Sequence, residues 1–281
     1  MKYTFASLGI LESIGFRLGG AGLGNLLFPW ARSLVYAKNN NSTCISTTWR
    51  TLKFGPFFRN EKDKRFYFDL FIDSGISGLQ KFYLLNFSNN VKIFKGMDGL
   101  FTEFLHEQNY IKKELFNITN PTYLNAICNH PSDGIAVHIR MGDFLEANDE
   151  KKLRDGEWNY RIPLVWYIET LKKIRAYKEM PVYIFSDAED NELKEILSLP
   201  NTFRIYYGSS IADMLALTKN KILIASSSTF SMWSSFLGQI PTIWFPGQHR
   251  QKIIMNEDIY EGSLDYSDQL PQKLLNCINN D

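Results

Sequence analysis

The chain has 281 residues, and its 31 lysine and arginine residues nearly balance its 30 aspartate and glutamate residues, which leaves a net charge of +1. This balance excludes the strongly basic surface on which nucleic-acid binding depends, and we expect no nucleic-acid partner. A hydrophobic share of 44% and a charged share of 22% are ordinary for a globular protein of one large or two modest domains. No stretch approaches the roughly 18 consecutive apolar residues that a membrane-spanning helix needs.

The three cysteines, Cys44, Cys128 and Cys277, lie far apart in the sequence. They have neither the paired spacing of a metal site nor the density of a disulfide framework, and this pattern indicates a reducing compartment. The N-terminus also lacks a basic region followed by a long apolar one, which a secretory signal would have. We therefore expect the protein to be cytoplasmic.

Residues 13–60 contain no aspartate or glutamate. The basic residues of this segment are Arg17, Arg32, Lys38, Arg50, Lys53 and Arg59. Such a segment favours an anionic ligand or an anionic membrane surface, although basic side chains scattered over solvated positions would give the same pattern. We expect at most a peripheral contact with the inner membrane surface, made through this basic N-terminal segment.

The first half of the chain reads as a strand, a glycine-rich loop, a helix from Asn25 to about Lys38 and a short strand at TCIST. The loop, RLGGAGLGNLLF, has four glycines within six residues, which allows its backbone to approach another molecule closely. Residues 50–130 are less regular, with helices near 100–116. The stretch NPTYLNAICNHPSDG contains two prolines and an Asp-Gly turn, and it predicts a connector between two domains.

In the second half, apolar strands alternate with helices. The strand segments are IAVHIR, PVYIFSD, FRIYYG, KILIAS and PTIWF, and the helical segments are LVWYIETLKKIRAYK, ELKEIL, IADMLALTK and FSMWSSFLG. This alternation predicts a parallel, doubly wound sheet with right-handed crossovers. We therefore expect an α/β protein of two Rossmann-like domains that face each other across a cleft, one formed by residues 1–130 and the other by residues 131–281.

Polar side chains follow three of these strands, at the edge where ligands bind in open parallel sheets. They are His138, Arg140 and Asp143 in HIRMGDF, Ser186 and Asp187 in FSDAED, and Ser226, Ser227, Ser228 and Thr229 in ASSSTF. An arginine can fork onto phosphate oxygens, a hydroxyl-rich helix start can bind an anion, and Asp187 could accept hydrogen bonds from guanine. Together they predict a site for a nucleotide diphosphate. Each also has a structural interpretation, because the serines and Asp187 could cap helices and Arg140 could form a surface ion pair.

Two other enzyme classes fit the sequence poorly. A dinucleotide-binding fingerprint needs a third glycine where Asn25 stands and an acidic residue about 20 positions further on, whereas the next acidic residue is Glu61. A metal-dependent glycosyltransferase would use a D-x-D triad, and SDAED offers only Asp187 and Glu189. The histidines outside HIRMGDF have no metal-ligand spacing, so we expect no metal site.

Four stretches carry a resemblance to a known family. They are GAGLGNLLFPWARSLVYAK, VHIRMGDF, FSDAED and DMLALTKNKILIASSSTFSMWSSFL. In this order they resemble the motifs of GDP-fucose-dependent fucosyltransferases, closest to the α-1,2-fucosyltransferase family, across most of residues 16–246. The resemblance implies the GT-B fold class and an inverting transfer of fucose from GDP-fucose to a glycan hydroxyl, with an α-1,2 linkage and without a metal or other cofactor.

The resemblance also assigns roles to residues of the second domain, which would bind the donor. His138 would contact the nucleoside, Arg140 the β-phosphate and Asp187 the guanine. The helix start would hold the diphosphate through Ser228, Thr229 and Phe230.

The first domain would lie on the acceptor side. Asn25 would face the reaction centre, while Gly22 and Gly24 would bring backbone N–H groups to the sugar diphosphate.

Asp143 would act as a base on the acceptor hydroxyl, with Glu146 as the second candidate, unless Asp143 only orients the motif arginine. The C-terminal tail would cross back from the second domain.

The sequence departs from the family pattern at several positions. Met141 replaces the second arginine of H-x-R-R-G-D-Y, Phe144 replaces its tyrosine, and Leu26 replaces the glutamine after Gly-Asn. These changes keep the main donor motifs but leave the acceptor and the linkage open. The alternative is a nucleotide-sugar-binding protein of the same fold that is non-catalytic or has a different specificity.

Overall fold

The computed structural model describes residues 2–9, 16–17, 21–50, 52–53, 67–72, 74–147 and 149–279. The chain divides into two compact units, Met1–Asn125 and Ala126–Asp281. The predicted domain boundary, at residue 130, lies shortly after this division. Among the helices of the described residues, none combines the length and the apolar character that a membrane crossing requires.

The first unit contains parallel strands in two sheets. Its described strands are β1 (Tyr3–Ala6), β2 (Phe16–Arg17), β3 (Thr43–Ile45), β4 (Leu52–Lys53) and β5 (Val91–Phe94). The larger sheet has the order β3-β1-β5, and β2 pairs with β4. The described helices are α1 (Leu23–Asn39), α2 (Gly78–Phe87), α3 (Gln108–Ile118) and α4 (Pro121–Ala126), with a 3₁₀ turn at Leu105–Glu107.

Helix α1 begins where the glycine loop ends. Gly22 is its N-cap, with an extended backbone at φ −70° and ψ 169°. The helix packs against β1, and its buried Phe28 ring meets the Phe101 ring edge-on, with 5.0 Å between centroids. The predicted helix from Asn25 to about Lys38 is therefore present. Residues 18–20 of the glycine loop lie outside the described residues.

The second unit contains one six-stranded sheet whose strands are all parallel. The strands are β6 (Ile135–Ile139), β7 (Val182–Ser186), β8 (Thr202–Arg204), β9 (Ile222–Ile224), β10 (Thr242–Trp244) and β11 (Glu261–Ser263), in the order β11-β10-β9-β6-β7-β8. The helices are α5 (Lys151–Arg154), α6 (Leu164–Tyr177), α7 (Lys194–Leu197), α8 (Ser210–Leu217), α9 (Thr229–Gly238) and α10 (Gln272–Asn279).

The central strands of this sheet are buried along their whole length. All residues of β6 and β9 are buried, and Trp166 and Tyr167 of α6 add large side chains to the buried interior. A strand covered on both faces is mainly apolar, which is why IAVHIR and KILIAS are predominantly apolar segments. His138 is the polar exception inside β6.

The strand order reverses once, between β6 and β9. From β6 the chain adds β7 and β8 on one side, and then it adds β9, β10 and β11 on the other. Ligands of open α/β sheets bind at the carboxyl ends of the strands beside such a switch point. The two units of parallel strands and helices confirm the predicted α/β class of Rossmann-like domains. Strand β11 was not predicted, and it extends the sheet beyond the last predicted strand, PTIWF.

Helix α10 belongs to the second unit. Its Leu274 and Ile278 side chains are buried in the core of this unit, and the Asn279 side-chain amide donates a hydrogen bond to the Tyr177 hydroxyl at 2.6 Å. The described part of the C-terminal tail therefore lies on the second unit.

Candidate active site

His138, the fourth residue of β6, is buried at the switch point. Its Nδ1 lies 2.7 Å from the Ser231 hydroxyl and 3.0 Å from the Ser226 hydroxyl. The imidazole stacks on the Phe230 ring, with 4.7 Å between centroids. Burial, with the nearby Arg140 charge adding to it, lowers the pKa of His138 to about 3. The ring is therefore neutral at physiological pH and can exchange hydrogen bonds without adding charge.

Serine hydroxyls connect the end of β9 to the start of α9. The Ser226 hydroxyl lies 2.9 Å from that of Ser228 and 3.0 Å from that of Ser231. Ser228 is the N-cap of α9, and its hydroxyl accepts a hydrogen bond from the Ser231 N–H. The helix start carries the positive end of the helix dipole, which favours an anion there. Thr229 is the first residue of α9.

Arg140 lies just beyond β6 and pairs with two carboxylates. Its Nη2 is 2.5 Å from the Asp143 Oδ1, and its Nη1 is 2.7 Å from the Asp187 Oδ2. The other Asp187 oxygen accepts the Met141 N–H at 2.9 Å. All three charged side chains are about one quarter exposed. The guanidinium is thus oriented in advance and remains accessible to a ligand.

The glycine of the RMGD turn is required by this ion pair. A Cβ at Gly142 would lie 2.2 Å from the Asp187 Oδ2, far inside van der Waals contact. Any larger residue would therefore displace the carboxylate that orients Arg140. This close approach gives a physical reason for the Gly-Asp step of the motif.

Arg161 supports the same turn from another side and was not identified in the sequence. Its Nε donates to the carbonyls of Met141, at 3.0 Å, and Phe144, at 2.9 Å. Its Nη1 lies 3.5 Å from Glu146 and 3.6 Å from Glu192. Because its main partners are backbone carbonyls, no side-chain pattern in the sequence signals this role.

The predicted site residues fall into two groups. In the second unit, the sheet edge brings together His138, Arg140, Asp143, Asp187, Ser228, Thr229 and Phe230. Gly22, Gly24 and Asn25 belong to the first unit, at the beginning of α1, where the Asn25 N–H donates to the Gly22 carbonyl at 3.1 Å. Glu146, the second candidate base, is exposed and faces Arg161.

Met141 occupies the position of the second family arginine. Its side chain is buried and packs within the hydrophobic core of the second unit. This chain therefore places an apolar core residue where the family pattern has a charge. Within the described residues, no group of three or more histidine, cysteine, aspartate or glutamate side chains is arranged to hold a metal ion.

Comparison with known proteins places this chain in a family. Residues 65–260, more than half of the chain, match the model of the family described as glycosyl transferase family 11. The chain belongs to this family. The assignment confirms the family resemblance inferred from the motifs, and the matched range includes every candidate site residue of the second unit.

One curated relative of this family 11 chain comes from Escherichia coli. It is the O-antigen biosynthesis glycosyltransferase WbnK, which is 25% identical over 159 residues. The aligned stretch covers 52% of this chain and 51% of WbnK. The chain thus matches about half the length of this relative.

Several solved fucosyltransferases resemble the family 11 chain in structure. NodZ from Bradyrhizobium has a TM-score of 0.47 and 13% identity, and the match covers 88% of this chain and 96% of NodZ. A mutant of FUT1 from Arabidopsis thaliana in complex with GDP has a TM-score of 0.48 and 14% identity, with 87% and 70% covered. POFUT1 in complex with GDP has a TM-score of 0.44 and 12% identity, with 95% and 98% covered.

Proposed function

We propose that this family 11 protein is an inverting, metal-independent fucosyltransferase. It transfers fucose from GDP-fucose to a hydroxyl of a glycan acceptor and forms an α-1,2 linkage. The observation that carries the proposal is the accessible Arg140 guanidinium, oriented by Asp143 and Asp187 at the carboxyl edge of a doubly wound sheet. The membership of glycosyl transferase family 11 and the motif resemblance to GDP-fucose-dependent fucosyltransferases support the choice of donor.

The diphosphate binds where the positive groups of the second unit converge. Arg140 supplies a guanidinium for charge-assisted hydrogen bonds, and the start of α9 supplies the positive end of a helix dipole. Neutral His138, stacked on Phe230, contacts the nucleoside without competing for the phosphates. Asp187 reads guanine only if it gives up part of its bonding to Arg140 and to the Met141 N–H.

The chemistry follows from the charges that develop during transfer. The bond between fucose C1 and the β-phosphate oxygen breaks through an oxocarbenium-like state, and negative charge accumulates on the leaving GDP. Arg140 and the helix dipole stabilise that charge, a task for which no metal is needed. The acceptor oxygen attacks C1 from the opposite face, and its proton passes to a base.

Asp143 is the proposed base. It now pairs with the Arg140 Nη2 at 2.5 Å, and a phosphate oxygen would compete for the same nitrogen. Donor binding would therefore release the Asp143 carboxylate from Arg140. The carboxylate could then take the proton from the attacking hydroxyl of the glycan. In the alternative, Asp143 keeps its pairing and only orients Arg140.

The test is to measure GDP affinity by calorimetry and GDP release from GDP-fucose with a panel of glycan acceptors, with and without a chelator. Wild-type protein should bind GDP, and release should continue in the chelator. Arg140→Ala should lower transfer on the order of 10²–10³-fold, because it removes a donor to the developing charge. The control is Arg175→Ala. Arg175 lies near the end of α6, which leads into the amino end of β7, whereas Arg140 lies at the carboxyl edge of the sheet.

Near-normal transfer by Arg140→Ala would contradict this site. GDP binding without release, over the whole acceptor panel, would instead favour a non-catalytic nucleotide-sugar-binding protein, for which the buried Met141 is the specific observation. Binding of another nucleotide in place of GDP would contradict the fucosyl assignment.

We also propose that the protein works in the cytoplasm and contacts the inner membrane surface peripherally. Support comes from the acid-free basic segment at residues 13–60 and from one side of α2, where Leu79, Phe82, Tyr83 and Phe87 are exposed at helical spacing. Flotation with anionic phosphatidylglycerol vesicles at low salt tests this contact. Recovery of all protein away from the vesicles would exclude it, whereas binding that Leu79→Ser and Phe82→Ser abolish would support it.

A further inference from the structure

The segment that precedes α6 lies beside the candidate active site. The Leu145 N–H donates to the Asn159 carbonyl at 2.8 Å, and the Arg161 N–H donates to the Leu145 carbonyl at 2.8 Å. The Ser227 hydroxyl donates to the Tyr160 carbonyl at 3.0 Å. Residues 159–161 are therefore fixed both to the turn that carries Arg140 and Asp143 and to the serine-rich start of α9.

Trp158, next to this fixed segment, presents an indole ring at the surface. The residue is 38% exposed. The Arg250 guanidinium carbon lies 3.6 Å from the ring centroid, so the cation covers one face of the indole. Trp158 thus remains an exposed residue although Arg250 covers one face of its ring, which leaves part of it open to a ligand.

Arg250 is held firmly enough to fix the ring. Its Nη2 donates to the Gln248 Oε1 at 2.7 Å and to the Glu157 carbonyl at 3.0 Å, and its Nη1 donates to the Gly156 carbonyl. Gln248 is itself buried and donates to the Leu153 carbonyl. The indole is therefore preorganised, and the Trp158 side chain would lose little additional conformational entropy when a ligand stacks on it.

Two polar residues suited to sugar hydroxyls belong to the paired segments: Asn159 follows Trp158 in the chain, and Glu146 follows Leu145, which pairs with residues 159–161. Asn159 is exposed and has a left-handed backbone, with φ 63°, which asparagine tolerates better than most residues. Glu146 is exposed on the paired turn. A flat apolar surface beside a few hydrogen-bonding groups matches a pyranose, which has an apolar C–H face and a rim of hydroxyls.

We propose that Trp158, backed by Arg250, is a stacking platform for a pyranose of the acceptor glycan. The platform lies on the second unit, so the acceptor surface is not confined to residues 1–130. This inference rests on the proposed glycosyl transfer, because only an acceptor beside the Arg140 turn would use the platform.

The experiment compares Trp158→Ala and Trp158→Phe with wild type and with Phe203→Ala, an exposed aromatic on edge strand β8. Three quantities are measured: the GDP dissociation constant, the slow hydrolysis of GDP-fucose without acceptor, and the acceptor KM for lactose and methyl hexopyranosides. Trp158→Ala should raise the acceptor KM about tenfold while GDP affinity and hydrolysis stay within about twofold. Trp158→Phe should recover part of the loss, and Phe203→Ala should change none of the three.

A binding measurement that needs no turnover complements the kinetics. The intrinsic tryptophan fluorescence of the GDP-bound protein is followed as lactose is added, for wild type and for Trp158→Phe. A saturable change that Trp158→Phe removes would support the platform. An unchanged acceptor KM in folded Trp158→Ala would overturn it.

Loss of GDP affinity in Trp158→Ala would also overturn it, because the ring would then serve the donor. If wild type neither binds GDP nor releases it from GDP-fucose, the proposed function itself fails. Wild-type measurements thus decide the proposed function, and the variants decide the platform.

Discussion

Arg140 carries one positive charge between two carboxylates, Asp143 and Asp187. Because all three side chains are about one quarter exposed, solvent screens the pairs and each contributes about 1 kcal/mol or less to stability. Their larger effect is on geometry, since a planar guanidinium bonded on two sides keeps one orientation. We infer that the ion pairs serve ligand binding more than folding.

At the same scale, His138 should make stability depend on pH. Its pKa in the folded protein is lowered from 6.5 to about 3, so below pH 6.5 the unfolded chain binds a proton that the folded protein does not. The stability that neutral His138 contributes is complete above that pH and is lost as the pH falls toward 3, by up to about 1.4 kcal/mol per pH unit.

His138→Gln should therefore flatten the fall in the free energy of unfolding between about pH 6 and pH 4, measured by urea denaturation. Buried Asp213, whose pKa burial raises to about 7, acts in the opposite sense, but it is present in both proteins and cancels in the difference. The matched control is His106→Gln, at an exposed histidine. Parallel pH curves for His138→Gln and wild type would contradict a neutral, buried imidazole.

At the scale of elements, two helices of the second unit begin alike. Ser228 caps α9 and Ser209 caps α8, each through a hydroxyl that accepts an N–H three residues on, at 3.4 Å and 3.2 Å. Alanine at either position should lower the free energy of unfolding by about 1 kcal/mol. Only Ser228→Ala should also weaken GDP binding, measured by calorimetry, because only α9 begins at the proposed diphosphate site. Equal GDP affinity in the two variants would reduce Ser228 to a helix cap.

The elements that the sequence predicted best are those whose burial is uniform. β6 and β9 are buried on both faces and apolar except for His138, so their segments could not be mistaken for loops. β11 consists of Glu261–Ser263 and has no apolar pattern that would predict a strand. Its pairing with β10 comes from tertiary packing. FRIYYG predicted β8 too far along the chain, and the strand is Thr202–Arg204.

The sequence predicted which residues form the site better than it predicted their hydrogen bonds and ion pairs. Strand ends of a parallel sheet meet at one edge, and this rule alone brought Arg140, Asp187 and Ser228 together. It could not show that Asp187 bonds to Arg140 and a backbone N–H, since side-chain partners depend on distances of a few ångströms. Arg161 and Trp158 were missed for the same reason. Arg161 bonds to backbone carbonyls and Trp158 stacks with the Arg250 guanidinium, and neither contact leaves a pattern in the sequence.

At the scale of the whole molecule, the two units are expected to contribute differently to the reaction. The side chains proposed to hold GDP all belong to the second unit, whereas Asn25 belongs to the first. Asn25→Ala should therefore lower kcat, by roughly tenfold or more for a lost transition-state contact, and leave GDP affinity nearly unchanged. Steady-state kinetics with calorimetry checks this, and a pure loss of GDP affinity would contradict the predicted role of Asn25.

The buried Met141 links the stability of the second unit to its ligand affinity at one position. The substitution Met141→Arg would add a cation next to the proposed phosphate site. The guanidinium would, however, replace a side chain that is buried in an apolar cluster with Leu153 and Trp166, and burying a charge there would destabilise the unit. Affinity and folding thus oppose each other there, as in other trade-offs between activity and stability. To raise the affinity for the donor with an arginine at this position, the apolar cluster around Met141 would first have to be redesigned.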